Sequence, residues 1–149
     1  MLAAGAVLAG CGSDSSSGAS ATDEVAAPLS KAEFVKQASA ICEQGLKKKD
    51  AAVSVALKEQ AEQAQSAPTA QETAKLIEET VLPAYSKTVD QLSQLGAPKA
   101  DEAEIEKMMG EFEAAVKTLE ADPTKANENN PFTSADKAAE AYGIKGCSL

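Results

Sequence analysis

Apolar residues recur along the chain at helical spacing, in successive stretches divided by turn-forming residues. In the first, Phe34, Ala38, Ile41, Cys42 and Leu46 share one helical face, which points Cys42 inward. The stretch starts sharply. Ser30 is a good N-cap with Glu33 three residues on, a capping box, and Leu29 and Phe34 hold the positions of a hydrophobic staple. Lys47-Lys48-Lys49-Asp50 interrupts the pattern, which resumes at Val53, Leu57 and Ala61. Either one helix runs through, or two meet near Gly45; we read one long helix. The lysine run reads as a solvated face.

Ser66-Ala67-Pro68 ends that element, and Thr69 with Glu72 forms a second capping box. The next helix carries Ile77, Val81, Leu82, Tyr85, Val89, Leu92 and Leu95 on its inner face. Pro83 lies inside it. Proline lacks the N–H, and its ring clashes with the carbonyl of Glu79, so a kink is expected. Gly96 is placed for a left-handed C′ position, and Pro98 forbids continuation. A third helix begins near Ala100, with Asp101, Glu102 and Glu104 favourably at its positive end. Its Ile105, Met109, Phe112, Val116 and Leu119 form a short a/d seam suited to a bundle. Met108 and Met109 read as core packing rather than soft metal ligands.

Asp122-Pro123 opens a loop expected to last to Phe132. Its Asn127, Glu128, Asn129 and Asn130 offer oxygens, but the spacing departs from an EF-hand loop, and a solvated turn is the better reading. In the last helix Thr133 or Ser134 caps, Ala135, Ala138 and Tyr142 face inward, and Gly143 closes. Ile144 sits where a Schellman motif places its apolar contact. The pattern thus predicts an all-α, four-helix-bundle-like domain over residues 30–149, with a kinked second helix. The last helix is below the ~12–15 residues that hold themselves in water, so it needs outside support.

Ahead of the domain the periodicity stops. Residues 12–29 are rich in Ser, Gly, Ala and Asp and read as a disordered tether. A flexible chain of that length has an end-to-end distance of about 23 Å. Residues 1–10 are apolar without a charge, ending in Leu8-Ala9-Gly10-Cys11. Such a run has the shape of an export signal and is too short to span a bilayer. Leu-Ala-Gly-Cys resembles the lipobox of bacterial lipoproteins. That resemblance implies thioether lipidation of Cys11, acyl chains of the palmitate type, and cleavage before it. Residues 1–10 would be the signal peptide, and 11–29 the lipidated Cys and tether. The positively charged n-region is missing, as if the sequence began at an internal start or had lost its first residues. The expected location is the outer face of the cytoplasmic membrane.

Cysteine usage follows from this. Of three cysteines, Cys11, Cys42 and Cys147, lipid on the first leaves an even pair in an exported protein. Disulfides persist in oxidising compartments, so a Cys42–Cys147 bridge is favoured over two free thiols. It would tie the last segment to the first helix.

The chain has 149 residues and a net charge of −9, with 3% aromatics, no Trp and no His. An acidic surface disfavours nucleic acid and direct adhesion to anionic lipid. Without His there is no imidazole base and none of the usual triads. Ser134-Ala135-Asp136-Lys137 matches S-x-x-K, but Lys87-Thr88-Val89 and Lys117-Thr118-Leu119 fail the accompanying K-T-G at its third position. A Ser-dependent hydrolase is therefore an outsider. Asp101, Glu102, Glu104, Glu106, Glu111 and Glu113 read as a wet helix face, and no metal or cofactor is expected.

A helix reading Phe34-Val35-Lys36-Gln37-Ala38-Ser39-Ala40-Ile41-Cys42 and an end reading Tyr142-Gly143-Ile144-Lys145-Gly146-Cys147 carry a second resemblance. Together with Val81-Leu82-Pro83 and Leu95-Gly96-Ala97-Pro98, they look like small uncharacterised lipoproteins of high-GC Gram-positive (actinobacterial) bacteria. The resemblance implies a helical bundle, a disulfide and surface anchoring, and brings no activity. The expectation for function is a non-catalytic binding or interaction module of the cell envelope, touching an envelope protein or a small ligand. The alternative is an anchored carrier with a small apolar ligand in a bundle cavity.

Overall fold

The computed structural model describes residues 28–63, 67–128 and 130–147. The expectations for the signal segment, Cys11 and nearly all of the tether lie outside them. The regular structure of the described residues is all helical, with four principal helices, two short helices and one π turn. The long helix α1 spans Lys31–Gln63. Next comes a single helical rod made of α2 (Ala70–Leu76), a π turn (Ile77–Val81) and α3 (Leu82–Ser93). Helix α4 spans Glu102–Ala121, α5 is one turn at Lys125–Glu128, and α6 spans Thr133–Tyr142. Helix α1 packs on α3, α3 on α4, and α4 on α6.

Both capping boxes form. The Ser30 N–H reaches Glu33 Oε2 at 3.1 Å while the Glu33 N–H reaches Ser30 Oγ at 3.3 Å. Thr69 and Glu72 repeat the exchange at 2.7 and 3.3 Å. These bonds hold the Glu33 and Glu72 carboxyls below the usual range, through the Ser30 hydroxyl and the Thr69 N–H foremost.

Helix α1 is continuous through Lys47–Asp50, the first of the two alternatives. The lysine run is not wholly solvated. Lys47 and Lys48 are exposed, but Lys49 lies half-buried with its ammonium 5.6 Å from the Tyr85 ring centroid. Its aliphatic stem covers apolar surface while the charge stays near Asp50, at 3.5 Å. The resumed stripe is also corrected: Val53 is half-buried, but Leu57 is 43% exposed and Ala61 is exposed. Beyond Gly45 the inner positions are Leu46, Lys49, Val53, Ala56 and Gln60, all half-buried and none fully buried. The α2 segment opposite buries none of its residues.

Pro83 is accommodated by a wider turn. The Leu82 N–H bonds back to the Ile77 carbonyl, five residues away, and Pro83 enters the first turn of α3 where its missing donor matters least. Gly96 does not take the left-handed position. The rod ends with Gln94 right-handed, and the Gly96 carbonyl accepts the Leu29 N–H at 3.1 Å, pinning the entry to α1. The expected loop from Asp122 contains the helical turn α5, started by Asp122 Oδ1 accepting the Thr124 N–H at 3.0 Å. Helix α4 starts at Glu102, close to the expected Ala100. Neither Thr133 nor Ser134 caps α6. The N-cap is Phe132, without a side-chain cap, and a turn at Asn130 leads into it, the Asn130 Oδ1 accepting the Phe132 N–H at 2.9 Å and its carbonyl accepting the Thr133 hydroxyl.

Phe34, Phe112 and Phe132 are the largest fully buried side chains, with Cys42, Leu119 and Thr88. Phe132 links the layers, 4.6 Å from the Tyr85 ring and 6.4 Å from Phe112. Helices α1 and α3 approach closely at Gly45, where a Cβ would run into the Thr88 hydroxyl. That hydroxyl turns back to the Ala84 carbonyl at 2.8 Å.

Candidate functional site

The chain's chemistry gathers at the pole where α1 starts and α6 ends. Two local devices bring the C-terminal segment there. Gly143, at φ +104°, ends α6 in the left-handed conformation, and the Ile144 N–H closes a Schellman bond to Ala139 at 2.8 Å. Gly146, at φ +72°, turns the chain against Glu43, leaving no room for a Cβ. Between these turns the Lys145 N–H donates to Ser39 Oγ on α1 at 2.9 Å. Cys147 then meets Cys42 in a disulfide, Cα atoms 4.7 Å apart and 105 positions apart in sequence. Both sulfur-bearing residues are buried.

A second cluster stands beside the bridge. The Tyr142 hydroxyl donates to Asp101 Oδ2 at 2.7 Å, and Lys31 lies 3.7 Å from the same carboxylate oxygen and 4.0 Å from the Tyr142 ring centroid. Phe34 meets that ring edge-on at 5.9 Å. Burial foremost, then the bond to Asp101, raises the Tyr142 phenol above its ordinary pKa. This cluster joins α1, the start of α4 and the end of α6. It was not legible in the spacing, because Asp101 reads equally well as a dipole-favoured acid. The structure gives it no side-chain capping bond and uses it for the tyrosine.

The surface between α6 and the C-terminal segment is an open groove of about 560 Å³. Asp136, Lys137 and Glu140 line one side, and Ile144 to Cys147 the other. It is a charged surface furrow, unlike the apolar bundle cavity a carrier of apolar ligands would use. Ser134 and Lys137 of the S-x-x-K match are both exposed, and no hydrogen bond joins them. Thr88 and Thr118 of the incomplete K-T-G matches each bond to a carbonyl of their own helix. Met108 and Met109 are buried in the core. Among the described residues, no group of three or more Cys, Asp or Glu is arranged for a metal, and no helix is long and apolar enough to cross a membrane.

No protein-family model, curated protein or solved structure matches this chain.

Proposed function

We propose that the chain is a membrane-anchored extracytoplasmic lipoprotein whose helical domain is a non-catalytic interaction module of the cell envelope. The observation that carries the reading is the Cys42–Cys147 bridge. It uses the pair of cysteines left over once Cys11 takes lipid, and such bridges persist outside the reducing cytosol. Cys11, following Leu8-Ala9-Gly10, then anchors the protein on the outer face of the cytoplasmic membrane, with residues 12–29 as the tether. Each buried CH₂ of an acyl chain contributes about 0.8 kcal/mol, so two or more chains hold firmly where one is marginal. The partner class favoured is a protein, because the grooves described are open and rimmed by charge while the interior is filled by Phe34, Phe112 and Phe132. A net charge of −9 argues against nucleic acid.

Fractionation of the Cys11→Ser variant tests the anchor. The protein is expected to move from membranes to the soluble fraction. A variant that stays on membranes at high salt contradicts lipidation at Cys11. A hydrolase screen tests the non-catalytic part: turnover abolished by Ser134→Ala would overturn it.

A further inference from the structure

Helices α3 and α4 leave a continuous furrow along their outer seam. Two depressions, of about 220 and 280 Å³, adjoin at Ser86 and Glu120, which line both. Buried Leu82, Val89 and Val116 form the floor. The rim is acidic. Glu113 and Lys117 face each other at 4.0 Å on the same helix and offset one another. Glu78, Asp90 and Glu120 pair with no basic group among the described residues. Three uncompensated carboxylates thus surround an apolar strip. From Glu78 to Ser93 the furrow runs about 22 Å at the helical rise, room for about four turns of a partner helix, with the apolar floor in its middle.

Building on the interaction-module reading, we propose that this furrow docks a basic amphipathic helical segment of another envelope protein. Apolar side chains at i and i+3 or i+4 would rest on Leu82, Val89 and Val116, with Lys or Arg beside the three carboxylates. Charge complementarity selects this occupant. An anionic membrane is repelled by the same rim, and a second copy would bring a chain of net charge −9 against it.

The probe is a synthetic lysine–leucine peptide about four helical turns long, leucines on one face. It is titrated into the full chain carrying Cys11→Ser, beside a scrambled peptide of equal composition. Nuclear magnetic resonance shifts are expected at Ser86, Ser93 and Lys117. Combined Glu78→Lys, Asp90→Lys and Glu120→Lys should weaken binding about tenfold or more. The equally charged control Glu59→Lys, Glu62→Lys and Glu111→Lys should change it less than about twofold. Ser86→Trp, which fills the furrow at constant charge, should also weaken it, with thermal melts verifying the fold. Equal loss in both triple variants, or equal binding of the scrambled peptide, overturns the proposal. So does a dimer in sedimentation that only the furrow triple dissolves. In cells, a photocrosslinker at Ser86 should capture a protein through a basic segment. Capture at Lys58 but not Ser86 overturns the furrow and leaves the module reading standing; capture at neither overturns both.

Discussion

The two ends of α1 are built to different standards. From Phe34 to Gly45 the helix is bound by a disulfide, an edge-on aromatic pair, a backbone bond from Lys145 and close contact with Thr88. From Val53 to Gln63 it runs beside α2, which buries nothing, and the π turn, of which Ile77 alone is buried. Gln60 even keeps a buried Oε1 with no hydrogen-bond partner. Val55, on the same arm, is 56% exposed. The contrast teaches that helix length and core are separate matters here. One regular helix crosses from a covalently closed pole into an arm held by local capping and by thin packing against the π turn. Regions with few buried apolar contacts open at low free energy, so the arm should open independently of the bundle.

Breaking the closed pole should have the largest effect. Cys147→Ala releases a constraint between positions 105 apart, worth roughly 4–5 kcal/mol in the chain-entropy account, and α6 should lose protection first. Thermal melts of the oxidised wild type and the variant measure it. Next is the close approach of α1 and α3. Gly45→Ala gains about 1 kcal/mol of helix propensity but must displace Thr88, at about 1–3 kcal/mol, so a net loss is expected. Thr88→Ala in the same chain should restore part of it in a double-mutant cycle.

Tyr142→Phe removes the bond to Asp101 and should cost about 1–2 kcal/mol. It also sharpens the comparison through pH. Tyr142 and Tyr85 hold their protons more tightly folded than unfolded; for Tyr85 burial foremost, then Asp136 and Asp50, pushes the pKa from 10.0 up to about 12. A raised folded pKa means the contribution is complete below pH 10.0 and is lost as pH rises through the folded value. Alkaline denaturation should therefore begin above that pH, with a shallower slope in either Tyr→Phe variant. On the arm the same kind of surgery should matter little. Leu57→Ser should change global stability by less than about 0.5 kcal/mol, read from denaturant midpoints.

The closed pole was more legible in the sequence than the arm. Phe34, Ala38 and Cys42 lie where the period put them, Ile105, Met109, Phe112, Val116 and Leu119 are all buried, and the Schellman turn at Gly143 forms. These positions combine strong periodicity with residue types that have one good use. The arm misled because Val53, Leu57 and Ala61 keep helical spacing, and spacing cannot tell whether the element opposite buries any apolar surface. Gly96 misled because a glycine after a helix fits a left-handed turn, yet also fits a backbone carbonyl open to Leu29. The Lys31–Asp101–Tyr142 cluster joins residues far apart in sequence, and no local pattern announces it. Of the candidate site, the Cys42–Cys147 pair was readable from cysteine arithmetic, while Cys11 lies outside the described residues.

Native-state hydrogen exchange of the oxidised full chain tests the division most directly. The account predicts that Ala70–Leu76 and residues 53–63 exchange together, with protection far below that of Glu102–Ala121 and residues 34–45. Equal protection of Ala70–Leu76 and Glu102–Ala121 would contradict it.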